Sequence, residues 1–178
     1  ICFLVIQSLK KLLISKNLST SVGDEGGFAP MISKNEEALK LISNAIEKAG
    51  FVNGIDVSIC LDVAANELFK NNKYAIDSKK YISYQNTILF YSKIIKRYKI
   101  KSIEDPFAEN DWKSWSDLHK KEKKIQIVGD DLYVTNLQRL KKGFLYQSSN
   151  SILIKLNQIG TVSETLDVIR FAQNIGFS

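Results

Sequence analysis

Short apolar, β-branched runs recur at residues 18–22, 57–63, 100–103, 125–128 and 152–156, the length and composition of strands buried in a parallel sheet. Between them, at 36–49, 87–98, 112–121, 137–145 and 161–174, apolar positions return every three or four residues. That period turns one stripe of an α-helix toward a core. The alternation predicts βα units and therefore an α/β fold with a parallel sheet. Asn35 or Ser33 stands where the helix at 36–49 needs an N-cap, and Gly50 where it needs a C-cap. The opening ICFLVI leads into QSLKKLL without a basic segment ahead of it, which fits neither a signal peptide nor a membrane span. It reads as a core-facing helix whose beginning lies upstream.

At 178 residues, with two prolines and no Gly/Ser-rich tract, the chain is expected to be one structural unit over residues 1–178. Cys2 and Cys60 are far apart and have no metal-ligand spacing. They read as reduced thiols of a cytoplasmic protein, not as a zinc site or disulfide framework. A net charge of +6 raises the question of a nucleic-acid partner. The lysines, however, are dispersed over helical segments without aromatic interleaving, which fits solvated outer faces and no nucleic acid or membrane partner.

The ends of the strands carry the chemistry. In order they close on Gly-Asp24-Glu25-Gly-Gly, Leu-Asp62-Val, Ile-Glu104-Asp105-Pro, Gly-Asp130-Asp131-Leu and Ile-Lys155-Leu. In a (β/α) barrel these ends converge on one face, where such acids repel one another unless a cation sits among them. Asp62, Glu104 and Asp130, each from a different strand, offer hard carboxylate oxygens with no His or Cys, a donor set suited to Mg²⁺. Lys155 reads equally as a neutralising cation or as a general base tuned by a neighbouring metal ion. Glu25 lies between glycines, either in a plain turn or as an acid that protonates a leaving hydroxyl. Together these parts describe proton abstraction beside a carboxylate, assisted by a metal ion, followed by loss of a β-hydroxyl.

Five strings then become recognisable in order: STSVGDEGGFAP (19–30), LDVAANELF (61–69), SIEDPFAENDW (102–112), IQIVGDDLYVTN (125–136) and SILIKLNQIGTVSETL (151–166). In sequence and spacing they closely resemble the enolase family, over essentially the whole chain. The resemblance implies a partial enolase-type (β/α) barrel, with Mg²⁺ as cofactor and 2-phosphoglycerate and phosphoenolpyruvate as substrate and product of a glycolytic hydro-lyase. It places Asp62, Glu104 and Asp130 as metal ligands. Lys155 takes the position of the base at carbon 2, Glu25 that of a glutamate acting on the carbon-3 hydroxyl, and Asp131 that of a neighbour of the lysine. Enolases are commonly dimers, so the full-length protein is expected to be a homodimer.

The resemblance also sets expectations for what lies outside these residues. The family carries an N-terminal α+β domain before this stretch and an HRSGE-containing loop after Ser178. The 178 residues alone are therefore expected to show little or no hydratase activity. The alternative is a non-catalytic truncated or split-gene product. Asn66, Leu68 and Ala108 depart from the family pattern, and His119, in DLHKKEKK, does not match the family's histidine. His119 reads as a solvated helix-end residue.

Overall fold

The computed structural model describes residues 1–76 and 80–178. Helices α1 (Cys2–Ser15) and α2 (Asn35–Lys48) precede strand β1 (Cys60–Asp62) and a hairpin of β2 (Phe69–Lys70) and β3 (Lys73–Tyr74). The chain continues as α3 (Tyr84–Tyr98), β4 (Ser102–Glu104), α4 (Trp112–Lys121), β5 (Gln126–Gly129), α5 (Leu137–Tyr146) and β6 (Ser151–Ile152). The short α6 (Leu156–Ile159) and α7 (Val162–Asn174) complete it. Strands β1, β4, β5 and β6 form a four-stranded sheet in that order, every pair parallel. Parallel strands alternate with helices as the sequence pattern predicts, and the described residues form an open sheet, part of a barrel, not a closed one.

Several helix starts are set by short polar side chains that satisfy otherwise orphaned N–H groups. The Ser83 hydroxyl accepts from the Asn86 amide, Asp111 from Ser114, Asn136 from Gln138 and Arg139, and Thr161 from Glu164. The β2–β3 turn is carried by Asn71 and Asn72, both at positive φ, the residue type that tolerates this conformation in two-residue hairpins. Tyr74 at its end is buried, donates from its hydroxyl to Asp111 Oδ2 at 2.7 Å and accepts from the Ala108 amide. Burial and the Asp111 carboxylate together hold that phenol above its ordinary pKa.

Register separates two layers of side chains. Leu61, Ile103 and Ile127 occupy one row across β1, β4 and β5, and Ile103 and Ile127 are fully buried in the main core with Tyr91, Trp115 and Leu118. The alternate row, one residue on, is Asp62, Glu104 and Val128. Strand periodicity thus commits one face to apolar packing and leaves the other for polar groups.

Three expectations need correction. Residues 18–22 are not a strand: only a single bridge joins Val22 to Phe28, and Val22 is 59% exposed. No described strand lies alongside to receive its amides, and the Ser19 and Ser21 hydroxyls bond each other instead. The last strand stops at Ile152, not at residue 156, because the Lys155 amide donates to the Thr135 hydroxyl and Leu156 begins α6. In α1 only Leu12 and Leu13 are buried, while Phe3, Leu4 and Ile6 are half or more exposed. That helix faces the core through its C-terminal half, packed on α2.

The Tyr133 ring is wedged between two glycines. A Cβ on Gly129, the last residue of β5, would lie 2.6 Å from Tyr133 Cδ2, and one on Gly143 in α5 would lie 2.3 Å from its hydroxyl oxygen. The ring is fully buried, and that hydroxyl bonds Ser149 Oγ at 2.6 Å. We expect Gly143→Ala to destabilise the protein by about 1–3 kcal/mol through overpacking, although alanine is intrinsically the better helix former by about 1 kcal/mol. Denaturant unfolding would read this directly, and an unchanged or raised midpoint would mean that Tyr133 yields freely.

Candidate functional site

The polar row of the sheet leads to one mouth. Asp62 and Glu104 are paired residues on neighbouring parallel strands. Asp130 follows Val128, the partner of Glu104, by two residues, and Lys155 follows Ser151, the partner of Val128, by four. Asp62 and Glu104 close their strands side by side, and Asp130 and Lys155, each lying just past the end of its strand, meet at the same end of the sheet. Lys155 Nζ lies 2.5 Å from Asp130 Oδ2. The other oxygen, Oδ1, accepts from Gln158 Nε2 at 2.8 Å, and Asp62 Oδ1 accepts from the Ala64 amide at 3.1 Å.

The Glu104 carboxylate has no hydrogen-bond donor among the described residues. Burial pushes it up to about 7, the Asp62, Asp105 and Asp130 carboxylates push the same way, and Lys155 only partly opposes them. Lys155 is itself held above its usual range, first by its bond to Asp130. The mouth therefore contains more carboxylate than its one lysine neutralises. A cation held by hard oxygens fits this donor set, with Asp62, Glu104 and Asp130 as the groups able to hold it.

The closest grouping of carboxylate oxygens is a different one, Asp105, Asp130 and Asp131, within 4.8 Å of one another. Asp62, Glu104 and Asp130 do not converge to that spacing. Asp105 is nevertheless committed elsewhere: Oδ1 accepts the Asp130 amide at 3.1 Å and Oδ2 the Asp131 amide at 2.8 Å. It is buried, and burial pushes its carboxyl up to about 6 against the pull of those two amides. Asp105 thus anchors the backbone that carries Asp130: its oxygens are held by main-chain amides, whereas those of Asp130 meet the ends of two side chains. Asp131 Oδ2 accepts from Asn66 Nδ2 at 2.9 Å, and Asn66 Oδ1 accepts the Glu109 amide, so Asn66 joins the mouth to the loop after β4.

Glu25 stands apart. It lies in a turn closed by the Gly26 amide on the Gly23 carbonyl, with Gly26 at positive φ, is exposed, and shares no hydrogen bond with the other four. His119, in the last turn of α4, is half-buried and not simply solvated: its Nδ1 meets the Gln147 carbonyl at 2.8 Å. Sequence reading missed Asp105, Thr135 and Gln158. Each lies inside a recognised string, but its role depends on which backbone groups fold against it.

The chain matches the family described as enolase, C-terminal TIM barrel domain, over residues 2–178. It belongs to the enolase C-terminal barrel family. The enolase of Pelagibacter ubique (strain HTCC1062) is 72% identical over 177 residues, covering 99% of this chain and 42% of that protein. The chain therefore spans less than half the length of this enolase. The match supports reading the open four-stranded sheet as part of an enolase barrel. No helix among the described residues is long and apolar enough to cross a membrane.

Glu104 and Asp105 together set a pH dependence for the enolase segment without metal. Both carboxyls are raised in the fold, to about 7 and about 6, so their protonated forms are the ones the fold favours. Their contribution is complete below the ordinary carboxylate range and is lost as pH rises through the folded values. We expect the melting temperature in the presence of chelator to fall between about pH 5 and about pH 7.5, with a smaller fall for Glu104→Gln. A slope of equal size in that variant would remove Glu104 from the explanation.

Proposed function

We propose that this chain supplies the metal-binding and proton-transfer face of a phosphopyruvate hydratase, which interconverts 2-phosphoglycerate and phosphoenolpyruvate in a Mg²⁺-dependent reaction. The observation that carries this reading is the gathering of Asp62, Glu104, Asp130 and Lys155 at the ends of successive parallel strands, with an under-neutralised Glu104 among them. The high identity to an enolase over nearly the whole chain supports it. Because the chain covers only part of that relative, hydratase activity belongs to the complete gene product. Its exposed, unpaired Cys2 and Cys60 fit a cytoplasmic setting, and by family resemblance the complete protein is a homodimer.

In this reading Asp62, Glu104 and Asp130 would hold Mg²⁺, which when bound would supply a Lewis acid for negative charge on the substrate carboxylate. Lys155 Nζ takes the proton from carbon 2. For that its amine must be neutral: the ammonium releases one proton to solvent and its bond to Asp130 Oδ2 opens, leaving Asp130 an ionised carboxylate. Glu25, brought in by its glycine turn, acts on the carbon-3 hydroxyl.

Two measurements test these roles in the complete gene product. Asp130→Asn removes an anionic ligand and is expected to weaken Mg²⁺ binding by about tenfold or more in calorimetric titration. Unchanged affinity would count against the ligand set. Lys155→Ala is expected to abolish exchange of the carbon-2 proton of 2-phosphoglycerate into deuterated solvent. Glu25→Gln should retain some exchange yet fail to form phosphoenolpyruvate. Exchange at the normal rate in the Lys155 variant would assign the base elsewhere.

A further inference from the structure

Asp130 and Lys155 are joined twice, once directly and once through a closed circuit of hydrogen bonds. The Lys155 backbone amide donates to Thr135 Oγ1 at 2.9 Å. The Thr135 hydroxyl donates to Gln158 Oε1 at 2.8 Å, and Gln158 Nε2 donates to Asp130 Oδ1 at 2.8 Å. Lys155 Nζ closes the circuit on Asp130 Oδ2.

The direction of this chain is dictated chemically. A backbone amide can only donate, so the Thr135 oxygen is an acceptor there and its single proton is free to go to Gln158. At the other end the Asp130 carboxylate only accepts, which turns the Gln158 NH₂ toward Asp130 and leaves its carbonyl to take the Thr135 proton. Thr135 is fully buried at φ 52°, and Val134 before it is at φ 43°. Two successive β-branched residues in the left-handed region are costly and persist here where the turn brings the Thr135 hydroxyl against Lys155 and Gln158.

We propose that Thr135 and Gln158 are positioning residues that present Asp130 to a divalent cation, by occupying Oδ1 with an oriented amide and tying the carboxylate to the lysine backbone. This rests on the metal reading above. Neither side chain need touch the ion or the substrate. Their effect is to make one orientation of the Asp130 carboxylate the resting one, so that binding does not have to select it. The Lys155 backbone hangs on the same threonine, so the ligand and the lysine are held in one frame.

The test is calorimetric titration of Mg²⁺ into the complete gene product, with thermal melts as the check on folding. Thr135→Val is nearly isosteric and equally β-branched, so it deletes the hydroxyl without altering the backbone preference. It should weaken Mg²⁺ binding about 10- to 100-fold. Thr135→Ser, which restores the hydroxyl, should return affinity to within about threefold of the parent. Gln158→Met removes the whole oriented amide, its donor to Asp130 and its acceptor for Thr135, at a half-buried site and should reproduce the loss. Combined with Thr135→Val it should add little, because both act through one bond. Should Thr135→Val fail to fold, Gln158→Met alone decides the matter. Parental affinity in Thr135→Val or Gln158→Met, alongside loss in Asp130→Asn, would overturn the positioning role and leave the metal reading standing. Parental affinity in Asp130→Asn would overturn both.

Discussion

Carboxylates gathered at one end of a parallel sheet repel one another, and the site exists only because something holds them there more firmly than they push apart. In this chain that restraint is largely main-chain. Asp105 turns at φ 40°, a conformation that costs a non-glycine residue on the order of 1–3 kcal/mol. Its carboxylate then accepts the amides of both Asp130 and Asp131. The two amides work against that strain, and also against the burial that keeps the Asp105 carboxyl raised. One buried acid thereby fixes where its two acidic neighbours begin.

Around that anchor the polarity of the mouth is assigned atom by atom. Asp105 is saturated by amides, Asp131 is engaged by Asn66, and Asp130 divides its oxygens between a lysine and an amide. Glu104 alone, among the acids of the row, is left both part-buried and without a donor. The sheet has thus placed its least satisfied group between Asp62 and Asp130, where a cation relieves the largest penalty. Stability without metal and affinity for metal are in this sense opposed, as is common where function requires charges that the fold alone would disfavour.

Part of this was legible in the sequence. The helices at 87–98 and 112–121 follow from apolar period, and the gathering of Asp62, Glu104, Asp130 and Lys155 at one end of the sheet from the common place of these residues at or just past the strand ends. What was not legible depends on backbone partners. The apolar run at 18–22 has the composition of a strand but no described ladder beside it, and composition cannot supply a neighbour. Residue 155 left its strand because a hydroxyl twenty positions earlier captured its amide. Asp105 looked like one acid among several because nothing in Glu-Asp-Pro reveals a left-handed turn. Asn66, which reads as a small departure from the family pattern, joins Asp131 to the amide of Glu109. For Glu25 the fold adds a turn and no contact with the other four, so its placement still rests on the family resemblance.

The Tyr133 ring, seated against the strand end on one side and an outer helix on the other, gives the molecule a mechanical linkage. Lys141, Lys142 and Leu145 on that helix are exposed, the two lysines lying over the rings of Phe171 and Trp112. A change that tilts the helix would press on the same ring that lies against Gly129, the residue immediately before Asp130. A mutational survey would therefore register sensitivity along α5 that no map of polar contacts explains. An engineer wishing to retune the mouth without altering a single ionisable group would find the adjustment screw on the outside of the protein.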